Sequence, residues 1–236
     1  MTYETITYKR CTIRLEQDED GPNPRDCDNV GTMLCKHRNY ILGDRERGDK
    51  EPDADEIIAI TEREDVIWLP LYLYDHSGIT MRAGSPGDNW MSSKGRFVGD
   101  GAGWDTSTVG VIYCTHEKAL EEWGKKGQKK MTAKVYEQAV KYLESEVETY
   151  ALYLEGNVYG FIAEDPDGNE IDSCWGFIEG YKNQYNTEDW YCVQEAKSSI
   201  DHWRETRGKE LRAERKATWE ARNIRDQNRE AALQLL

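Results

Sequence analysis

One run of nine residues, Val66 to Tyr74, constrains the fold more than any other feature of the sequence. Its β-branched, aromatic and leucine side chains follow one another without a polar break. A strand of this composition has no polar face, so other elements must cover it on both sides. Pro70 lies inside the run and cannot donate a ladder hydrogen bond, which predicts a bulge or bend there. The run is about half of the roughly 20 residues that a membrane-spanning helix needs, so we expect a central strand and no transmembrane helix.

Other strands are indicated by alternation and by turn residues. Cys11, Ile13 and Leu15 alternate with polar neighbours, which predicts a half-buried strand, and we expect Thr5 to Lys9 to precede it in the same strand. The apolar residues on either side of an Asp-Pro-Asp-Gly-Asn turn predict a hairpin over 158–163 and 171–177. Hairpins join neighbouring antiparallel strands, so they argue against a doubly wound parallel sheet.

Two amphipathic helices accompany these strands. Apolar residues recur at steps of three and four from Val135 to Leu154, between a Thr132 N-cap and a Gly156 stop. A second helix is predicted to begin at Thr187, which is followed by two acidic residues in its first turn. The order of elements predicts an α+β fold: a mixed or mainly antiparallel sheet backed by two or three helices, with a long charged C-terminal helix.

The C-terminal segment differs from the rest of the chain in charge. From Asp201 onward it carries nine basic and seven acidic residues, which is a net charge of +2. Because the whole chain has a net charge of −14, residues 1–200 carry −16. It is predicted to form one long helix interrupted only at Gly208, and its sparse apolar positions keep no heptad. It is therefore either an arm that joins two copies in a homodimer or a solvated helix. We predict an acidic α+β domain over 1–204 and a helical extension over 205–236.

The charge of the body excludes some classes of partner and favours others. A net charge of −16 repels nucleic-acid phosphates, so direct binding to a duplex is not expected. The same charge suits a protein partner with a basic surface. The first residues, Met1 to Glu4, include neither a basic start nor an apolar segment, so no secretory signal is expected. We therefore expect a cytoplasmic protein whose 6 cysteines, which form no CxxC pair, are reduced.

Several blocks of the sequence resemble a family of uncharacterised proteins encoded by phages, plasmids and other mobile elements. The central block is WLPLYLYDHSGITM, Trp68 to Met81, and the others are Arg25 to Met33, Trp104 to Tyr113, Glu146 to Tyr150, Tyr159 to Phe161, and Asp172 to Phe177. Together they are spread over most of the range 10–200, and the chain departs from the family pattern at Thr106 to Thr108. The resemblance implies a phage or mobile-element origin in a host-cell cytoplasm and implies no particular activity.

Polar and aromatic residues inside these blocks are the candidates for a site. Carboxylates are the ligands that Mg²⁺ and Ca²⁺ prefer, and the candidate metal ligands are Asp26, Asp28, Asp75 and Asp105. The candidate binding residues are Asp75, His76, Trp104, Asp105 and Trp175. The competing interpretation is that the aspartates cap turns and that the tryptophans pack in a core. No catalytic residue is assigned, because neighbours such as Asp75, His76 and Ser77 point apart and cannot form a triad among themselves.

Two hypotheses about function follow. The first is a phage or mobile-element accessory protein that binds and modulates a host protein, with a counter-defence or nucleic-acid-mimicking role. The alternative is a metal-dependent hydrolase or nuclease that uses the clustered aspartates. The sequence leaves open whether the chain is an enzyme, whether it binds a metal, and which partner or substrate it takes.

Overall fold

A computed structural model describes residues 2–45, 48–86, 105–180 and 186–233, and within them the chain forms eight strands and four α-helices. The strands are β1 Thr2–Tyr8, β2 Cys11–Gln17, β3 Thr32–Cys35, β4 Val66–Asp75, β5 Ile79–Ala83, β6 Thr106–Thr115, β7 Val158–Glu164 and β8 Glu170–Ile178. The helices are α1 Ala54–Thr61, α2 His116–Trp123, α3 Ala133–Leu154 and α4 Tyr191–Leu233. The predicted α+β class is confirmed.

The chain divides into two compact units rather than one. The terminal unit comprises the described parts of residues 1–17, 159–177 and 182–236, and the central unit comprises those of 18–158 and 178–181. Two four-stranded antiparallel sheets are present, with strand orders β1-β2-β7-β8 and β3-β6-β4-β5. The first sheet belongs to the terminal unit and the second to the central unit, where one sheet had been predicted for the whole chain. This division does not test the predicted boundary at residue 204, which stays a prediction.

In the terminal unit, β2 buries one of its two faces, as the alternation of its side chains predicted. Cys11, Ile13 and Leu15 are fully buried, and they share an apolar core with residues of α4 such as Val193 and Ile200. Each apolar side chain of this size contributes about 1.5–3 kcal/mol when it is removed from water. The sheet and α4 therefore cover each other's apolar faces.

The prediction that Thr5 to Lys9 continues into the same strand is wrong. Residues 2–8 form the separate strand β1, which pairs antiparallel with β2. The chain reverses at Lys9 and Arg10, whose φ angles are 50° and 71°. Positive φ at both central residues is the geometry of a two-residue type I′ hairpin turn, which Asn-Gly favours and Lys-Arg does not. The turn therefore left no signal in the sequence.

The central unit is built around the apolar run, which forms β4 and lies inside its sheet between β6 and β5. The carbonyl of Pro70 accepts a hydrogen bond from the N–H of Gly84, at 2.7 Å, just beyond the end of β5. In an antiparallel strand the nitrogen and oxygen of one residue face the same side, so the missing N–H of Pro70 also faces the end of β5. The bulge lies next to Pro70 but on the partner strand β6, between Gly110 and Thr108.

The long helix of the central unit, α3, matches its predicted boundaries, whereas α1, predicted over 57–64, lies three residues earlier. The hydroxyl of Thr132 accepts a hydrogen bond from the N–H of Val135 and caps α3, which ends before Gly156. The buried face of α3, which includes Leu143, Val147 and Tyr150, packs into the core of the central unit. This helix therefore covers one face of the sheet, as its periodicity predicted.

The C-terminal helix differs from its prediction at its first residue and at Gly208. Residues 187–189 form a separate 3₁₀ turn, and α4 begins only at Tyr191, after Trp190. The helix then continues through Gly208 to Leu233 without interruption, because one glycine costs only about 1 kcal/mol among strong helix formers. Beyond Trp203 nearly every described side chain of α4 is exposed. No helix within the described residues is both long enough and apolar enough to cross a membrane.

Candidate functional site

Three of the five predicted binding residues lie together at one end of the central sheet. Asp75 is the last residue of β4, and its backbone N–H donates to the carbonyl of Asp105, just before β6, at 2.9 Å. The imidazole Nδ1 of His76 lies 3.1 Å from Oδ2 of Asp105. Because β4 and β6 are neighbouring strands, residues that are distant in sequence meet at this end of the sheet.

The turn after β4 accounts for the position of His76. The N–H of His76 donates to the carbonyl of Gly78 at 3.0 Å, and Ser77 has a φ of 62°, so the chain reverses tightly into β5. His76 projects from this turn with 62% of its side chain exposed. Its carboxylate partner is Asp105 of another strand, and the sequence reasoning missed this pairing because it did not predict that β4 and β6 are adjacent.

Tyr40 extends the cluster on the other side of Asp75. Its hydroxyl donates to Oδ1 of Asp75 at 3.2 Å, and its ring stacks on that of His37 with 4.9 Å between ring centroids. Desolvation and the negative charge of Asp75 raise the pKa of Tyr40 above its usual range. The phenol therefore stays protonated at neutral pH and acts as a hydrogen-bond donor.

An open pocket of about 520 Å³ adjoins the cluster, and groups of both charges line it. Its lining includes Lys36, His37, Arg38, Glu51, Asp75, Asp105 and the hydroxyl residues 106–108. A carboxylate that holds one ring nitrogen of a histidine leaves the other nitrogen free to exchange a proton. Asp105 lines the pocket and also holds Nδ1 of His76, whereas His76 itself is not part of the lining.

The loop that carries Asp26 and Asp28 directs a different side chain into the protein. Asp26 and Asp28 are exposed, whereas the side chain of Arg25 is only 1% exposed. The Arg25 guanidinium donates to Asp44 at 2.7 Å, to Glu146 at 2.9 Å and to the carbonyl of Gly31 at 2.7 Å. Burial lowers the pKa of Arg25, but its bonds to Asp44 and Glu146 outweigh this effect and raise the pKa.

The carboxylate of Glu146 completes this buried network. It accepts hydrogen bonds from the backbone N–H groups of Val30, at 2.8 Å, and Gly31, at 3.1 Å. These bonds hold the segment before β3 against α3. Arg25 and Glu146 lie in two of the resemblance blocks, but no feature of the sequence singled them out, because a charge that becomes buried looks locally like one that stays on the surface. Each nitrogen of the Arg25 guanidinium and each carboxylate oxygen of Glu146 has a hydrogen-bond partner inside this network, so its role is structural.

The four predicted metal ligands do not form one group. Within the described residues, no set of three or more His, Cys, Asp or Glu side chains has the arrangement to hold a metal ion. Asp75 and Asp105 share the pocket, whereas Asp26 and Asp28 do not line it. Ca²⁺ normally takes more protein oxygens than one carboxylate pair offers, whereas Mg²⁺ is often held by one or two carboxylates together with water and substrate phosphates.

The two candidate tryptophans lie elsewhere. Trp104 falls outside the described residues. Trp175 is on the edge strand β8 of the terminal unit and is 44% exposed. Its ring lies over Gly160, where an added Cβ would come within 2.3 Å of the ring. Trp175 is therefore a surface residue of the terminal unit and not part of the pocket in the central unit.

A second feature of the central unit is a dense run of negative charge, residues 49–65, which we call the acidic segment. It holds eight acidic residues and two basic ones, and it includes all of α1. A capping box begins the helix, in which Asp53 and Glu56 each accept the other's backbone N–H. Asp55, Glu62 and Glu64 are exposed and make no ion pair with any described residue.

The chain was also compared with known proteins. No family model, no curated protein and no solved structure matches it. Its function is therefore inferred from its own residues and their geometry.

Proposed function

We propose that this chain is a phage or mobile-element accessory protein that binds and modulates a host protein in the host-cell cytoplasm. The observation that carries the proposal is the acidic segment, with eight acidic and two basic residues in one continuous stretch of surface. Glu51, Glu56 and Asp65 contact nearby basic side chains, whereas Asp55, Glu62 and Glu64 form no ion pair with a described residue. A surface of one sign attracts a partner of the opposite sign and accelerates their encounter.

A basic nucleic-acid-binding groove is the partner that this charge distribution suits best. Such a groove is lined with Lys and Arg that normally neutralise phosphates. Carboxylates presented by α1 and its flanks occupy the same cations, so the chain competes with nucleic acid for the groove. The resemblance to mobile-element proteins supports a counter-defence setting for this competition.

The test is capture of host proteins on the immobilised chain at low salt, followed by release with duplex DNA. We expect basic proteins to be retained, to elute as salt rises, and to be displaced by the DNA competitor. A variant with Asp55, Glu62 and Glu64 changed to Asn or Gln should lose these partners. A matched control with Glu117, Glu137 and Glu148 changed to Gln has the same net charge and should keep them.

Two results would refute the proposal. One is a lysate from which nothing is retained in a salt-sensitive manner. The other is equal retention by the acidic-segment variant and the control, which would show that overall charge and not this surface is responsible.

A second candidate function is hydrolysis at the His76–Asp105 pair, in the metal-dependent form that uses Asp75 and Asp105. The specific observation in its favour is that Asp75 and Asp105 line one pocket and that Asp105 also contacts His76. A cation that binds only the folded state raises the melting temperature, by RT ln(1 + [L]/Kd) in free energy. The first test is the melting temperature in millimolar Mg²⁺, Ca²⁺ and Mn²⁺, and the second is nuclease or phosphodiesterase activity that His76→Ala removes and the control His202→Ala keeps. An unchanged melting temperature together with no such activity excludes this candidate.

A further inference from the structure

A lysine-rich surface interrupts the acidic character of the central unit. Residues 123–142 contain six lysines and one acidic residue, in a chain whose net charge is −14. We call these lysines the lysine face; they are Lys125, Lys126, Lys129, Lys130, Lys134 and Lys141. The first four lie in the connection between α2 and α3, and the last two lie on α3.

The connection that presents the lysines is held in one conformation by its own hydrogen bonds. The side-chain oxygen of Gln128 accepts from the N–H of Lys125 at 3.1 Å, and its amide donates to the carbonyl of Lys130 at 2.9 Å. The backbone N–H of Gln128 also donates to the carbonyl of Lys125 at 2.8 Å. A ligand that binds this turn does not have to order it first, which reduces the entropic cost of binding.

The charges of the lysine face are not neutralised within the described chain. All six lysines are exposed, and none forms an ion pair with a described residue. Lys118 of α2 differs, because its ammonium donates to the carbonyl of Asn29 at 2.6 Å. In a chain with 45 acidic residues, six lysines within 20 residues that lack an ion pair with a described residue leave a site for an external anion.

Aromatic rings accompany the lysines. Tyr142 follows Lys141 on α3 and is 41% exposed. Its ring centroid lies 5.3 Å from that of Trp123, the last residue of α2 before the lysine-rich connection. Base stacking on an exposed aromatic ring contributes about 1–3 kcal/mol in proteins that bind single strands.

We propose that the lysine face and Tyr142 bind single-stranded nucleic acid, with phosphates on the lysines and a base on the tyrosine ring. A duplex offers phosphates but keeps its bases stacked inside, so it cannot use Tyr142. Carboxylates that lie farther from the lysines than the screening length, about 8 Å at physiological salt and longer at lower salt, are largely screened and do not prevent this contact.

A groove at the connection indicates where the single-stranded nucleic acid does not lie. This groove, of about 570 Å³, is lined on the side of the connection by Lys125, Lys126 and Lys129 and on its α2 side by Glu117 and Glu121. Phosphates are repelled there, so the strand crosses the connection and the α3 side instead. The lysine face and the acidic segment share no residues, so this inference does not depend on the proposed function.

The experiment is fluorescence anisotropy of a labelled oligothymidylate of about 20 nucleotides at about 50 mM salt, titrated with the full chain. We expect saturable binding that weakens with salt. For a single strand, the slope of log K against log salt is about −0.7 per neutralised phosphate. Changing Lys125, Lys126, Lys129 and Lys130 to Gln should therefore make that slope shallower by about 3. Changing Lys50, Lys209 and Lys216 to Gln should leave it unchanged.

The aromatic contribution has its own variants. Tyr142→Ala should weaken binding by about fivefold or more, Tyr142→Phe should restore it, and Tyr136→Ala, at an exposed tyrosine of the same helix, should have no effect. No anisotropy change, or equal binding by the four-lysine variant, overturns the proposal. If polyglutamate displaces the strand and Tyr142→Ala binds like the wild type, the surface recognises charge alone and the assignment to nucleic acid is wrong.

Discussion

The buried network of Arg25 and Glu146 predicts that Glu146→Gln is strongly destabilising. The side chains of Arg25 and Glu146 are 1% and 7% exposed, and 2.9 Å separates Nη1 from Oε2. Glutamine keeps one oxygen, which can still accept the N–H groups of Val30 and Gly31. Its NH₂ group then faces the guanidinium, donor against donor, and Arg25 loses its buried counter-charge.

The magnitude follows from what remains around Arg25. Removing one partner of a buried ion pair costs about 3–5 kcal/mol. Arg25 keeps Asp44, whose side chain is 30% exposed, and the carbonyl of Gly31, so we expect the lower end of that range. About 3 kcal/mol in a unit of this size corresponds to a fall in melting temperature of about 10 °C.

The assay is urea unfolding followed by circular dichroism, with a separate transition fitted for each of the two units. Glu148→Gln, an exposed residue of the same helix, is the matched control and should stay within about 0.5 kcal/mol of the wild type. The double variant Arg25→Met with Glu146→Gln should cost less than the sum of the single variants, because each single variant already breaks the pair. A cost for Glu146→Gln below about 1 kcal/mol would refute the reasoning that this pair holds the β3 segment to α3.

Three further predictions concern other parts of the chain. Maleimide should label Cys27 and Cys174 rapidly in the native protein, since the other four thiols are buried, and rapid labelling of a third thiol by mass spectrometry would contradict this. The hydrogen bond from Lys9 lowers the pKa of Asp201 in the folded state. This contact therefore stabilises the terminal unit fully at pH values above the unfolded-state pKa of about 3.9, and the stabilisation is lost as the pH falls through the lower folded-state pKa. An NMR titration of Asp201 with a midpoint at or above 3.9 would disprove it. Truncation after Thr206 should leave cooperative melting intact, because the apolar core of α4 ends near Trp203, and an insoluble or non-cooperative product would show that the tail belongs to the core. A change from dimer to monomer by light scattering would identify the tail as an assembly arm.

Several elements of the fold could be predicted from the sequence because their signals are local. The alternation of Cys11, Ile13 and Leu15 specified a strand with one buried face. The three- and four-residue steps of α3, with its Thr132 cap, specified both the helix and its ends. The apolar run of β4 specified a strand inside a sheet. In each case the period of the side chains matches the period of the backbone, so neighbouring residues contain the information.

The pairing of these elements was decided only by the tertiary structure. Periodicity shows which side of an element is apolar but not which other element covers it, so the division into two sheets left no trace in the sequence. The same reason explains the candidate site. Asp75, His76 and Asp105 were each identifiable as polar residues at strand ends, but the bond between His76 and Asp105 exists because β4 pairs with β6.

The buried pair of Arg25 and Glu146 shows the same limit more sharply. The two residues are 121 positions apart, and in sequence each resembles an ordinary surface charge. Only the packing of the short 3₁₀ turn Pro24–Asp26 and the β3 segment against α3 removes both from water and makes each indispensable to the other. Local chemistry therefore determined the elements of this protein, and long-range packing determined which of its charges are structural and which remain free to bind.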